Sequence, residues 1–505
     1  MASRGKEWYN KPHKCVIFGT ESQSFMQYAC RQETDMRKTK IVCTIGPASE
    51  SEEMLRALCS AGMNVARLNF SHGTHDEHLR RIETIRKVRS DMQLPIAIML
   101  DTKGPEYRVG TFENGSVELK EGDLFTFTPE QIVGTNERVS VSYPKLYEDM
   151  APGDKILVNN GLLCFRVLGV EGQEIKTVVE CGGTLSNRKS MSFPGKVIHQ
   201  TYLSEQDKSD ILFGIQNGVD FIACSFVSVR QDLVDVHEFM KENGGEGIEL
   251  IAKIENQSGF DNIEDICMEC DGIMVARGDM GVEIPFEQLP AIQKNLITKC
   301  RMLGKRVITA TEMLESMINN PRPTRAETSD VANAVYDGTS AVMLSGETAA
   351  GKYPVESVEA MARIAETTEK NIDYKQHFHD ASFFIKNEVD AISHATCGMA
   401  IDIKAKVIVA CTISGMTARM VSRFRGPVDI IGLTTDEKTW RKLALSWGVI
   451  PQMSEYYPST DVLFYSARKN AIDTLGLKKD DRIVITGGYV TGQSGNTNLI
   501  KIERV

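Results

Sequence analysis

The sequence predicts an α/β protein: a closed barrel of eight β-α units with an inserted β lid and a smaller C-terminal α/β domain. Three observations predict it. Eight short apolar runs recur along the 505 residues, continuous rather than alternating, as strands buried on both faces require. Nearly every run ends in a polar or ionisable residue, and chemistry on such barrels gathers at the C-terminal ends of the strands. The regular spacing breaks once, between the third and fourth runs, where residues 104–206 intervene.

The runs lie at 40–46, 64–70, 96–101, 221–226, 249–255, 272–278, 306–311 and 341–346. Helix-like stretches separate most of them. One spans 51–58. Another starts at Thr324, which with Glu327 three residues on forms a capping box, followed by Val331, Ala334 and Val335 at helical spacing. Eight such units point to the (β/α)8 TIM barrel; a doubly wound open sheet is the alternative and usually has fewer strands. The insert is rich in glycine and in alternating segments such as LFTFT at 124–128, so it reads as a small β domain. Leaving from a strand's C-terminal end, it would hang over the mouth as a lid.

A third region, 375–505, has strand-like runs at 406–411, 430–434 and 482–486. Two of its turns stand out. Thr412, Ser414, Gly415 and Thr417 follow a strand and precede a helix, a natural phosphate cradle of hydroxyls and backbone N–H groups. The small-residue loop at 492–498 is placed to close over it. A tight turn accounts for either loop taken alone. The expected layout is an N-terminal arm at 1–36, the catalytic barrel at 37–103 and 207–374, the lid at 104–206, and a C-terminal effector-type domain at 375–505.

Composition narrows the function. Hydrophobic residues make up 42% and charged residues 25%, which is globular usage, and no apolar run approaches the ~18 residues of a membrane span. A net charge of −10 argues against a nucleic-acid binder. Several of the twelve cysteines, Cys43, Cys224 and Cys411 among them, sit inside apolar runs and read as buried hydrophobes in a reducing compartment. Cys267 and Cys270 form a lone CxxC with no second pair at metal-ligand spacing. The first 36 residues carry no signal-peptide core, so the expected location is cytoplasmic.

The strand ends supply the chemistry. In Lys253-Ile254-Glu255 the period of two puts Lys253 and Glu255 on one face. Asp279 follows the next strand, so Glu255 and Asp279 would be neighbouring carboxylates, a usual Mg²⁺ arrangement. Lys253 beside them suits a phosphoryl oxygen or a developing enolate; a structural ion pair is the plain alternative. Arg67 is a fork donor for phosphate. Asn69, Ser71, Asp101 and Thr102 are hard oxygen donors with one full charge among them, suited to K⁺ or to a polar hydrogen-bond cluster. His72, His75 and His78 read as a partly exposed helix rather than a metal site. Thr311 and Ser345 offer hydroxyls that either relay a proton or cap the following helices.

These residues lie in motifs that resemble the pyruvate kinase family, and the resemblance runs from about Arg37 to Val505. The motifs are TKIVCTIGPAS at 39–49, GMNVARLNFSHG at 62–73, LDTKGPE at 100–106, KIEN at 253–256 and GIMVARGDMGVEIP at 272–285. ATEMLESM at 310–317, PRPTRAETSDVANAV at 321–335 and VMLSGETAAGKYP at 342–354 complete them. The resemblance implies transfer of the phosphoryl group of phosphoenolpyruvate to ADP, giving pyruvate and ATP, the last step of glycolysis. It implies Mg²⁺ held by Glu255 and Asp279, and K⁺ held by Asn69, Ser71, Asp101 and Thr102, with Glu106 marking a K⁺-dependent member. Lys253 and Arg67 would stabilise the phosphoryl group. Gly278 and Asp279 backbone N–H groups, with Thr311, would hold the substrate carboxylate. Thr311, Ser345 and water would protonate the enolate. Arg67, Asn69, His72 and Arg108 would meet the nucleotide, and Thr412, Ser414, Gly415 and Thr417 a sugar-phosphate effector. A homotetramer is implied, with no nucleic-acid or membrane partner.

The sequence departs from the family pattern at Gln206 (commonly Lys), Asn159 and Asn160 (usually acidic), Glu312 (Gln), Met416 (basic) and His199-Gln200. None of these is Lys253, Glu255, Asp279 or Thr311. Two other readings stay open: an Mg²⁺-enolate lyase or aldolase on the same barrel, and a non-enzymatic effector-binding scaffold.

Overall fold

The computed structural model describes residues 36–196, 198, 201–456, 459–488 and 497–505. Residues 1–35 of the expected arm, most of the 492–498 loop, and His199 and Gln200 lie outside the described residues. The eight apolar runs become eight strands: β1 (Lys40–Thr44), β2 (Val65–Asn69), β3 (Ala97–Asp101), β4 (Phe221–Cys224), β5 (Glu249–Ile254), β6 (Gly272–Ala276), β7 (Arg306–Ala310) and β8 (Ala341–Leu344). They close in the order β1-β8-β7-β6-β5-β4-β3-β2, all parallel. The doubly wound sheet is therefore excluded.

Alternation along each strand sorts its residues. Ile98, Leu100, Ile222, Leu250, Ala252, Ile273 and Val275 face outward and pack under the helices. Val42, Val65, Ala97, Met99, Phe221, Ala223, Ile251, Met274, Ile308 and Met343 face inward and fill the lumen. One lumen residue comes from outside the barrel: Leu445, in the short 3-10 turn Leu443–Leu445 of the C-terminal region. It is fully buried at the floor of the lumen.

The helices start where short polar side chains cap them. Ser51 accepts from the Met54 N–H at the helix Glu52–Ala61. Thr324 and Glu327 form the reciprocal capping box expected for Arg325–Asp337.

The insert is a seven-stranded sheet plus a two-stranded one, with its own core around Phe125, Phe127 and Phe165. Asn159 and Asn160 both have φ of 56° in the turn joining Lys155–Val158 to Leu163–Glu171. Asparagine tolerates this left-handed backbone better than most residues, which gives the departure a local reason.

The C-terminal region forms one five-stranded sheet, β9 (Val407–Cys411), β10 (Asp429–Thr434), β11 (Val449–Met453), β12 (Arg482–Gly487) and β13 (Leu499–Arg504), in the order β11-β10-β9-β12-β13. Only β13 runs antiparallel. This region meets the barrel at the N-terminal ends of its strands. Arg441 pairs with Asp220 at 2.8 Å, Arg419 with Asp271 at 3.2 Å, and Lys442 with Glu249 at 3.4 Å. Arg425 donates to Ser340 Oγ at 2.9 Å, and Lys40 Nζ to the Val449 carbonyl at 2.7 Å. A ring of polar contacts thus surrounds the Leu445 plug.

Candidate active site

The inward rows that are apolar in the lumen turn polar at the mouth, as Arg67, Asn69, Asp101, Ser225, Lys253 and Glu255. Lys253 is buried, with Nζ 2.5 Å from Ser225 Oγ, 3.0 Å from Asp101 Oδ1 and 3.1 Å from Glu255 Oε1. Asp101 Oδ2 accepts from Arg67 Nε at 2.6 Å, and Arg67 Nη1 donates to Thr44 Oγ1 at 2.8 Å. Cation and carboxylate alternate across the ends of β2, β3 and β5.

Burial alone would raise the Asp101 pKa, but Arg67 and then Lys253 outweigh it, so the carboxylate is held ionised. Burial would likewise neutralise Lys253, but Asp101 and Glu255 hold it as the ammonium, with its pKa above the ordinary lysine value. Glu255 is different: burial pushes its carboxyl up to about 7 against the pull of Lys253, with Asp279 and Asp101 adding to the rise. Its Oε2 accepts the Phe226 N–H at 2.6 Å, but its buried Oε1 accepts no hydrogen bond among the described residues, despite the nearby ammonium. A buried, unsatisfied carboxylate oxygen beside a second carboxylate fits a divalent cation.

The helix Arg277–Glu283 places Gly278 and Asp279 at the rim. The Gly278 N–H, expected to be open to a substrate carboxylate, is taken by Thr311 Oγ1 at 2.8 Å, and that hydroxyl donates to Ala310 O at 2.6 Å. Thr311 has φ of 67° and Glu312 54°; left-handed backbone at a β-branched residue marks a constrained site. Arg277 braces the turn, donating to Thr311 O at 2.6 Å and to Asp330 Oδ1 at 2.7 Å. Ser345 Oγ is buried and makes no hydrogen bond among the described residues, and its N–H donates to Glu347 Oε2 at 2.7 Å. Neither hydroxyl caps its following helix.

On the other side, Asn69 and Asp101 are register partners on β2 and β3. Asn69 Oδ1 accepts the Ser71 N–H at 3.1 Å, and Thr102 Oγ1 accepts the Ser225 N–H at 3.2 Å. The three histidines do not share one exposed helix. His72 precedes the helix His75–Met92, and His78 is buried within it. His78 stacks on Phe70 at 4.0 Å and bonds the His72 carbonyl, and burial lowers its pKa. A residue one turn into this helix faces inward against the Phe70 ring while His75 stays partly exposed, so the helix is partly exposed and only His72 lies off it. Gln206 donates to Asp210 Oδ1 at 2.8 Å, and His75 bonds the same oxygen at 2.6 Å. Arg108, on the strand Tyr107–Arg108 of the insert, pairs with Glu106 and donates to Arg188 O at 2.7 Å.

Far from the mouth, Gly415 has φ of 84° and its N–H bonds Thr412 Oγ1 at 3.0 Å, just before the helix Met416–Ser422. The Thr417 and Thr497 hydroxyls meet at 2.7 Å. Met416 is exposed. Cys267 Sγ lies 3.5 Å from Cys300 Sγ, both buried behind the barrel.

Sequence reasoning missed Ser225, Phe226 and Tyr202. The same rule that placed Lys253 and Glu255 would have found Ser225, since it follows Phe221 and Ala223 at period two on the inward face.

Family models described as "Pyruvate kinase, barrel domain" and "Pyruvate kinase, alpha/beta domain" match residues 36–358 and 390–503. The chain is 48% identical to the pyruvate kinase of Geobacillus stearothermophilus over 470 residues, covering 92% of this chain and 80% of that one. It is 46% identical to that of Clostridium acetobutylicum over 472 residues, covering 93% and 100%. Among solved structures, a pyruvate kinase from Cryptosporidium parvum matches with a TM-score of 0.88 at 38% identity, covering 93% of this chain and 96% of that one. Matches of this extent, across both the barrel and the sheet that follows it, show that the chain belongs to the pyruvate kinase family of phosphotransferases.

Proposed function

We propose that the mouth transfers the phosphoryl group of phosphoenolpyruvate to ADP by electrostatic positioning. The observation that carries this is the Lys253 ammonium set between Asp101 and Glu255, with one Glu255 carboxylate oxygen unsatisfied among the described residues and within the field of Asp279. Glu255 and Asp279 would hold Mg²⁺; Asn69, Ser71, Asp101 and Thr102, oxygens with one full charge, suit K⁺. Bound there, the cations supply positive charge to the substrate's oxygens.

The chain's own groups do the rest. The bond from phosphorus to the enol oxygen breaks, and one forms to the terminal phosphate oxygen of ADP. Lys253 and Arg67 stabilise the charge on the group in flight, the main resource in such transfers. Gly278 and Asp279 N–H groups receive the substrate carboxylate once Thr311 Oγ1 releases Gly278. Thr311, with Ser345 and water, then carries a proton to the enolate carbon. Arg67, Asn69, His72 and Arg108 meet the nucleotide, and the lid excludes water.

The proposal includes the layout of barrel (37–103 and 207–374), lid (104–206) and C-terminal domain (375–505). It also includes a phosphorylated effector at Thr412, Ser414, Gly415 and Thr417, a homotetramer, and a cytoplasmic location. Among the described residues no helix is long and apolar enough to cross a membrane.

Lys253→Met tests the reading. Turnover should fall about a thousandfold or more while phosphoenolpyruvate still binds, because the charge is needed mainly in the transition state. Near-native turnover would refute the role. Pyruvate released without ADP would point instead to a lyase.

A further inference from the structure

The turn after β4 bonds Asp101, Thr102, Lys253 and Glu255, yet the mechanism above does not use it. Ser225 is buried, and its one hydroxyl proton has two acceptors in reach: Thr102 O at 2.6 Å and Asp101 Oδ1 at 3.3 Å. The shorter bond takes the proton. A lone pair is then left facing Lys253 Nζ, 2.5 Å away. The ammonium has three protons. Ser225 and Asp101 engage two of them, which leaves one for a ligand.

The Ser225 backbone is held equally firmly. Its N–H bonds Thr102 Oγ1 at 3.2 Å, and its carbonyl accepts the buried Tyr202 hydroxyl at 2.7 Å. Phe226 has φ of 57°, a strained backbone for an aromatic residue, and this points its N–H at Glu255 Oε2. Tyr202 lies on the chain returning from the lid. Gly104, where the chain leaves for the lid, packs so tightly on Ser225 that a Cβ there would sit 2.9 Å from Ser225 Cβ. Both crossings to the lid therefore converge on this one residue.

We propose that Ser225 is a positioning residue: it fixes the orientation of the Lys253 ammonium, so that a proton is kept for the transferring phosphoryl group instead of being given to Glu255. The inference rests on the Lys253 role proposed above. Without the Ser225 acceptor, the ammonium is free to turn a proton onto Glu255 Oε1, which lies 3.1 Å away and accepts no hydrogen bond among the described residues. Substrate would still bind, but the charge would be misplaced when it is needed.

The test is Ser225→Ala in the full chain, assayed with phosphoenolpyruvate, ADP, Mg²⁺ and K⁺, alone and combined with Lys253→Met. The expected result is a kcat about 10- to 100-fold lower, a KM for phosphoenolpyruvate within about threefold, and an unchanged melting transition. In the Lys253→Met background the same change should cost nothing further, because a residue acting through Lys253 has nothing left to act on. Turnover of Ser225→Ala within twofold of native, an equal loss in both backgrounds, a loss confined to KM, or failure to fold would each overturn the proposal. The Lys253 reading fails separately, if Lys253→Met alone keeps its turnover.

Discussion

Lys40 begins β1 with its ammonium buried in the barrel floor, donating to the Val449 carbonyl. Burial, reinforced by Arg37 and Lys38 and opposed by Glu369 and Asp429, lowers its pKa to about 7. Between about pH 7 and 10.5 the unfolded chain holds this proton and the folded chain does not, so stability rises with pH across that window. Lys40→Met removes the effect. Its stability relative to native should therefore fall by a few kcal/mol between pH 6 and pH 10, read from urea unfolding; a pH-independent difference would contradict the burial argument. Residues of this kind divide what a sequence discloses. Lys253 and Glu255 are two apart on one strand, so their pairing follows from alternation alone. The Asp101 bridge between Lys253 and Arg67 joins three strand ends, and it exists only because pairing sets β3 and β5 on either side of β4. Burial in the floor is equally invisible for Lys40, since its partners lie some four hundred residues away.

The eight barrel strands were legible because parallel strands buried on both faces read as unbroken apolar runs. Their ends were less so: the run at 272–278 divides into β6 and the helix carrying Asp279. The edge strands β11 and β13 escaped. Pro451 interrupts the first, and alternation with Lys501 and Glu503 dilutes the second, both allowed at a sheet edge. The capping box at Thr324 was legible, but not its second duty. Glu327 also accepts from Ser316 N at 2.7 Å and Ser316 Oγ at 2.6 Å, tying the helix to the turn that follows Thr311. Thr324→Ala should cost about 1 kcal/mol and leave turnover alone. Glu327→Ala loses both sets of bonds. It should cost about 2–3 kcal/mol and also lower kcat, since the Thr311 turn loses its anchor. Equal effects of the two variants on kcat would show that the anchor does not reach the site.

At the scale of the molecule, the lumen is completed by a residue from beyond the barrel. Leu445 stands at 0% exposure among the inward side chains of β1 to β8. Leu445→Ala should destabilise the chain by about 3 kcal/mol, because the strands around it cannot collapse into the gap. An unfolding midpoint within error of native would show the floor sealed by its ionic rim alone. The plug also limits how this architecture can be recombined. A hybrid joined between barrel and C-terminal sheet inherits its stopper from one parent and the socket from the other. Leu445 and the arginines and lysines around it must therefore travel with the acidic strand starts they meet, or the graft leaks water into its own axis.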